Sequence, residues 1–228
     1  MLVIFDIDGT LCRTSGVDDS CWTRAAREVL EIESMTTDWG AYPHSTDEAI
    51  ACALIRKHHG TEPTRSVLDR LRDHFVALLE AVQSDDPGHF RETPGAARLI
   101  RHLQESGHQV AIATGGWRRS ARFKLDCAGI PHDGVGAAFA DDAHPREEII
   151  RIATERAASS SGMQVEALGR RIYVGDGLWD LKAAGRLGIG FLGIAEGDRA
   201  NDLREAGAPR VLPDFADLDE VMGALGEA

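Results

Sequence analysis

The sequence predicts an α/β protein in which an open parallel sheet carries a bundle of helices inserted after its first strand. Three observations lead there. The chain opens on an apolar run that ends in acids, "MLVIFDIDGT". Helical segments then follow one another with no strand between them. From Thr93 onward, short apolar runs alternate with helical segments to the last residue, the rhythm of parallel αβ units.

Taken in order, "LVIF" at residues 2–5 is apolar at every position, as a strand covered on both faces must be. "DIDGTL" then turns, with Gly9 supplying backbone freedom. Residues 19–33 read as a helix capped by Asp19 or Ser20, with Trp22, Ala26, Val29 and Leu30 on one stripe. Residues 47–58 read as a second helix. Residues 64–82 read as a third, with Val67, Leu68, Leu71, Phe75, Leu78, Leu79 and Val82 on a broad apolar face. "QSDDPGHF" reads as a polar linker that closes this helical part.

Beyond it, "TPGAARLIRHLQESG" is a helix with Pro94 near its first turn and Gly107 at its stop. Strands follow at "HQVAIATG", "GVGAAFADD", "RRIYVGDG", "IGFLGIA" and "PRVLPDF". Helices separate and follow them at "WRRSARFKLDCAG", "PREEIIRIATERAASSSG", "WDLKAAGRLG", "ANDLREAG" and "ADLDEVMGAL". The expected assembly is a Rossmann-like core made of residues 1–14 and 88–228. Residues 15–87 form an inserted helical-bundle domain.

Composition narrows the function. The 228 residues are 43% hydrophobic and 27% charged, which is a globular balance. A net charge of −12 with scattered Arg argues against a nucleic-acid polymer as partner. Apolar runs stop well short of the ~18 residues a membrane span needs, and no leader pattern opens the chain. Cys12, Cys21, Cys52 and Cys127 make no CxxC or zinc spacing, so reduced thiols in a cytoplasmic protein are expected, with Cys127 packed in the core. Monomer and homodimer both stay open.

The acids mark the site. Ligands of open parallel sheets bind beyond the carboxyl ends of the strands. Asp6 and Asp8 follow the first strand, Thr114 ends "VAIAT", and Asp176 follows "IYVG" with Asp180 four residues on. Four carboxylates on one rim repel one another and need compensation. Mg²⁺ is the simplest remedy, because it takes oxygen ligands and phosphate together. Thr114, the amides of Gly115 and Gly116, and an Arg are candidate donors to a phosphate. A dinucleotide-binding turn is excluded, since no GxGxxG follows the first strand.

With these residues in place, the chain resembles the haloacid dehalogenase superfamily of aspartate-nucleophile phosphotransferases. "FDIDGT" is similar to its first motif, "IATGG" to its second, and "VGDGLWD" to its Gly–Asp–x–x–x–Asp acidic motif. Arg146 in "AHPREEII" stands where the family most often has Lys, with Lys182 the second candidate. The inserted helices resemble the family's cap, in the style of its phosphoglycolate-phosphatase-like branch.

The resemblance implies Asp6 as nucleophile and Asp8 as general acid and then base. It implies Mg²⁺ held by Asp6, the backbone carbonyl of Asp8 and Asp176, with Asp180 orienting or joining them. Thr114 and Arg146 would hold the phosphoryl oxygens. Gly115, Gly116, Arg119 and Trp22 are candidate substrate contacts, and Arg118 is a further one. Arg13, Ser15, Cys21 and Arg24 are candidates near the hinge, while His44, His58 and His59 read as surface or loop residues. The expected function is a phosphomonoester hydrolase for a small phosphorylated metabolite, phosphoglycolate or a sugar phosphate in type. A sugar phosphomutase and a non-catalytic phosphate- or metal-binding module are the alternatives.

Overall fold

The computed structural model describes residues 1–228 with the exception of the Ser15 side chain. A six-stranded, all-parallel sheet forms its centre. The strands are β1 (Leu2–Phe5), β2 (Gln109–Ala113), β3 (Gly136–Ala138), β4 (Arg171–Gly175), β5 (Gly190–Ile194) and β6 (Val211–Leu212). Their order is β3-β2-β1-β4-β5-β6. β1 pairs with β2 on one side, Phe5 opposite Ile112, and with β4 on the other, Phe5 opposite Val174. The strand order therefore reverses at β1, and a crevice opens beyond the ends of β1, β2 and β4.

The strand side chains alternate between two cores. Val3 and Phe5 join Ile112, Val174 and Leu192 on one face. That face is covered by α4 (Ala96–Glu105), α5 (Arg118–Ala128) and α9 (Leu218–Glu227). Leu2 and Ile4 join Tyr173 and Phe191 on the other. There the cover is α6 (Arg146–Ser160), α7 (Leu178–Leu187) and α8 (Gly197–Glu205). Burial on both sides explains why β1 is uniformly apolar.

Between β1 and β2 lie α1 (Ser15–Leu30), α2 (Asp47–His59) and α3 (Arg65–Asp85). Their inward stripes, among them Ala26, Leu54, Leu71 and Phe75, make a third core that reaches Trp117 at the head of α5. Here the sequence reading needs correction at several ends. α1 runs Ser15–Leu30, not 19–33, and stops where Glu31 takes a left-handed conformation at φ 56°. The residues read as a linker begin inside α3, which continues to Asp85; Pro87 then opens a single tight turn. Pro94 stands ahead of α4, because Gly95 at φ +84° is its cap. A Cβ on Gly95 would lie 2.1 Å from the Phe215 carbonyl oxygen, so only glycine fits.

All four cysteines are free. Cys127 is half-buried against the third core and not enclosed within it. No helix among the described residues is long and apolar enough to cross a membrane.

Candidate active site

The ends of β1 and β4 and the start of α7 deliver three carboxylates to one point. Asp6 follows β1, its amide donating to the Val174 carbonyl at 2.9 Å, and Asp176 follows β4. Asp180 comes from the first turn of α7, where its Oδ2 accepts from the Gly177 amide at 3.0 Å. All three are buried, and one oxygen from each lies within 4.8 Å of the others. Burial pushes the Asp6 carboxyl above its ordinary range although Arg146 opposes it. Asp176 is raised well above that range by burial and by Asp180. Asp180 is pushed up to about 7, burial outweighing the pull of Arg146. An oxygen-only, electrostatically strained set of this kind suits a hard divalent cation.

Gly175 shapes this set. A Cβ there would lie 2.6 Å from the Asp180 Cβ and Oδ2. Gly175→Ala is therefore expected to displace Asp180 at a cost of about 1–3 kcal/mol and to weaken any divalent-cation binding at the trio at least about tenfold. Calorimetric titration with Mg²⁺ checks this, and unchanged affinity would mean Asp180 is not part of the site.

Arg146 opens α6 and is almost fully buried. Its Nη1 donates to Asp6 Oδ1 at 3.1 Å and its Nε lies 3.7 Å from Asp180 Oδ1. Its Nη2 donates to the Ser45 carbonyl at 3.0 Å, so the same guanidinium touches the segment between α1 and α2. Thr114 is buried at the end of β2, and its hydroxyl oxygen accepts from the Gly116 amide at 3.2 Å. A Cβ on Gly115 would stand 2.4 Å from the Ser45 carbonyl oxygen, which ties that glycine to the closeness of the two segments. The Asp47 amide donates to the Gly115 carbonyl at 2.8 Å, and Thr46 donates to the His144 carbonyl at 3.0 Å.

Asp6, Asp8, Thr114, Gly115, Gly116, Arg146 and Asp176 line one cleft of about 640 Å³, together with Lys182. Not every candidate joins the acidic trio or the cleft. The Asp8 carboxylate is outside the acidic trio; it faces Lys124 Nζ at 2.8 and 2.7 Å and accepts from the Thr14 hydroxyl at 2.5 Å. Trp22 does not reach the cleft, because it is stacked on Trp117 with centroids 6.0 Å apart and donates to Asp47 at 2.8 Å. Arg119 points outward to Asp73 at 2.9 Å, and Arg118 pairs with Asp142 at 3.0 Å. Arg13, Cys21 and Arg24 are not among the cleft residues, whereas His44 stands on its rim. Ser15 opens α1, and its side chain lies outside what the structure describes.

Sequence reasoning missed Lys124, Asp18, Asp47, Tyr173 and Arg199. Arg199 pairs with Asp176 from α8. Tyr173 OH is 3.2 Å from Asp180 and 2.9 Å from the Ala113 carbonyl. Lys124 left one readable signal: it shares the inward stripe of α5 with Ala121 and Leu125, where an unpaired lysine has no place.

Known proteins give the context. Residues 1–188 match the family model for haloacid dehalogenase-like hydrolases. A relative named "Probable phosphatase IndB", from Dickeya dadantii, is 27% identical, and the alignment covers 98% of this chain and 92% of that protein. Phosphoserine phosphatase of Bos taurus is 25% identical, with 99% and 93% covered. Among solved structures, a hydrolase from Pseudomonas syringae superposes with a TM-score of 0.72 at 22% identity, covering 97% of each chain. CbbY from Rhodobacter sphaeroides, in complex with phosphate, gives 0.67 at 22%, covering 95% of each. The last two show the fold. The family match spans both acidic motifs and the helices between them, so the chain belongs to the haloacid dehalogenase-like hydrolases.

Proposed function

We propose that this enzyme is a Mg²⁺-dependent phosphomonoester hydrolase for a small phosphorylated metabolite, working through a phosphate ester on Asp6. The observation that carries the reading is the position of Asp6. It is buried at the carboxyl end of β1, 3.1 Å from Arg146 and grouped with Asp176 and Asp180, while a second carboxyl, Asp8, opens on the same cleft.

Asp6 attacks phosphorus in line with the leaving oxygen, which splits one hard hydrolysis into two steps. Arg146, Thr114 and the amides of Gly115 and Gly116 orient the phosphoryl oxygens and stabilise their charge. Asp8 gives a proton to the departing alcohol and later takes one from the water that releases phosphate. Asp6, Asp176 and Asp180 would hold Mg²⁺ with the Asp8 carbonyl; when bound it supplies charge compensation between nucleophile and phosphate. Asp180 also keeps the β4–α7 turn in shape through the Gly177 amide.

In this reading residues 1–14 and 88–228 are the catalytic core and 15–87 a closing domain. The contacts of Ser45, Thr46 and Asp47 with the core support closure over the cleft, which excludes water from the reaction. Four free thiols support a reducing, cytoplasmic setting. The test is phosphate release from phosphoglycolate, phosphoserine, glycerol phosphate, a hexose phosphate and a nucleotide, with Mg²⁺ and with chelator. Release from one ester that stops in chelator is expected. Turnover that is indifferent to chelator would reject the metal, and no turnover of any ester would reject the hydrolase.

A further inference from the structure

We propose that Lys124 is a positioning residue for Asp8, clamping its carboxyl group at the phosphate cleft and tying it through Asp18 to the first inserted helix. The inference rests on the reading of Asp8 as the proton-transfer group.

Lys124 is 1% exposed on the inward face of α5. An ammonium group in that position is costly unless it is paired, and packing alone would be served better by an apolar residue. Its Nζ meets both oxygens of Asp8, at 2.8 and 2.7 Å, and also Asp18 Oδ1 on α1. The Thr14 hydroxyl, just ahead of α1, donates to Asp8 Oδ1 at 2.5 Å. The Phe75 ring of α3 covers the ammonium from 5.8 Å. Asp8 is thus held by α5 and by the residues that lead into the inserted helices.

The consequence concerns where Asp8 sits. Its side chain is 22% exposed and lines the cleft, while the lysine behind it is sealed from solvent. A carboxyl on a turn is free to change rotamer unless something fixes it. Proton transfer needs the leaving oxygen within about 2.6–3.2 Å. A misplacement of about 1 Å lowers the rate on the order of a hundredfold. Because Asp18 shares the ammonium, Asp8 is in place only while α1 is docked.

The leaving group provides the test. In the first half-reaction the phosphorus–oxygen bond to the leaving group breaks and its electron pair stays on that oxygen, while a new phosphorus–oxygen bond forms to Asp6. An alkoxide must take the Asp8 proton as it departs, and nitrophenolate leaves without it. kcat/KM reports only the steps up to that departure. It would be measured for p-nitrophenyl phosphate and for the aliphatic ester turned over fastest in the panel above. The proteins are wild type, Lys124→Met, and Lys124→Met with Asp18→Asn, which removes one charge of each sign and so preserves the net charge of the cluster.

Lys124→Met is expected to lower kcat/KM about a hundredfold for the aliphatic ester and less than about threefold for p-nitrophenyl phosphate. Asp8→Asn is expected to show the same contrast and to add little in the Lys124→Met background, since both remove one function. If Lys124→Met does not fold, the charge-balanced double variant carries the measurement. Equal losses with both esters, in protein with wild-type circular dichroism, would overturn the proposal and leave Lys124 a merely structural ion pair. Survival of turnover in Asp6→Asn would instead overturn the reading of the site, so the two failures are distinguishable.

Discussion

Asp6→Asn is expected to remove phosphate release altogether, on the order of 10⁴-fold or more, while making the metal-free protein more stable. The loss follows from chemistry: an amide oxygen is no nucleophile toward phosphorus. The gain follows from electrostatics. Burial raises the Asp6 carboxyl above its ordinary range even with Arg146 beside it and Asp8 adding repulsion. A raised carboxyl pKa means that the ionised form costs stability in the folded state at neutral pH. Asn keeps the shape and removes the charge, and Arg146 retains Asp180 as a partner at 3.7 Å. The gain is expected to read as a higher melting temperature in chelator. Residual release at more than about a thousandth of wild type would remove Asp6 from the nucleophile's role. A lower melting temperature would show that the Arg146 pair outweighs burial, leaving the nucleophile assignment untouched.

This opposition between activity and stability bears on how much the sequence could reveal. Acids that end apolar strands are visible in a sequence because they violate the expected composition of a buried position. Asp6 and Asp176 were legible for that reason, and the parallel register that brings them together follows from the strands themselves. Arg146 was legible only through the family resemblance, as the residue standing where the family most often has Lys. Trp22 and Arg119 were misread because their direction depends on which way a helix faces once it has packed. The inward stripe of α5 is Ser120, Ala121, Lys124 and Leu125, which turns Arg119 toward Asp73. Trp22 is drawn into the aromatic stack by Trp117, a residue far away in sequence. α1 was placed about one turn late because Asp19 and Ser20 read as its cap, whereas the helix begins at Ser15. In the structure Asp18 instead finds the buried ammonium of Lys124. Contacts of this kind, between elements distant along the chain, leave no local pattern.

In chelator, stability is expected to fall as pH rises from about 4 to about 7, and Mg²⁺ is expected to reverse much of that loss. The sign comes from the buried acids. Asp6 and Asp176 are raised by burial, Asp180 to about 7 and Asp47 to about 6, against ordinary values near 3.8. Below pH 4 these carboxyls are protonated in both the folded and the unfolded chain, and their contribution is fully present. As pH rises, the unfolded chain releases its protons first, while the folded chain must hold them or accept buried charge. Stability therefore declines until the folded groups have also ionised, by a few kcal/mol in total. Arg146 limits the decline because it stands between Asp6 and Asp180, and the Lys124 charge does the same for Asp47. Mg²⁺ favours the ionised forms of Asp6, Asp176 and Asp180, so its stabilising effect should be several times larger at pH 7.5 than at pH 5. Asp47 accepts from Trp22 and Trp117 and is not one of the clustered trio, so its share of the decline should persist with the metal present. Urea unfolding across this range, with Mg²⁺ and with chelator, measures both. Equal stabilisation by Mg²⁺ at the two pH values would show that the cation binds somewhere other than these three carboxylates.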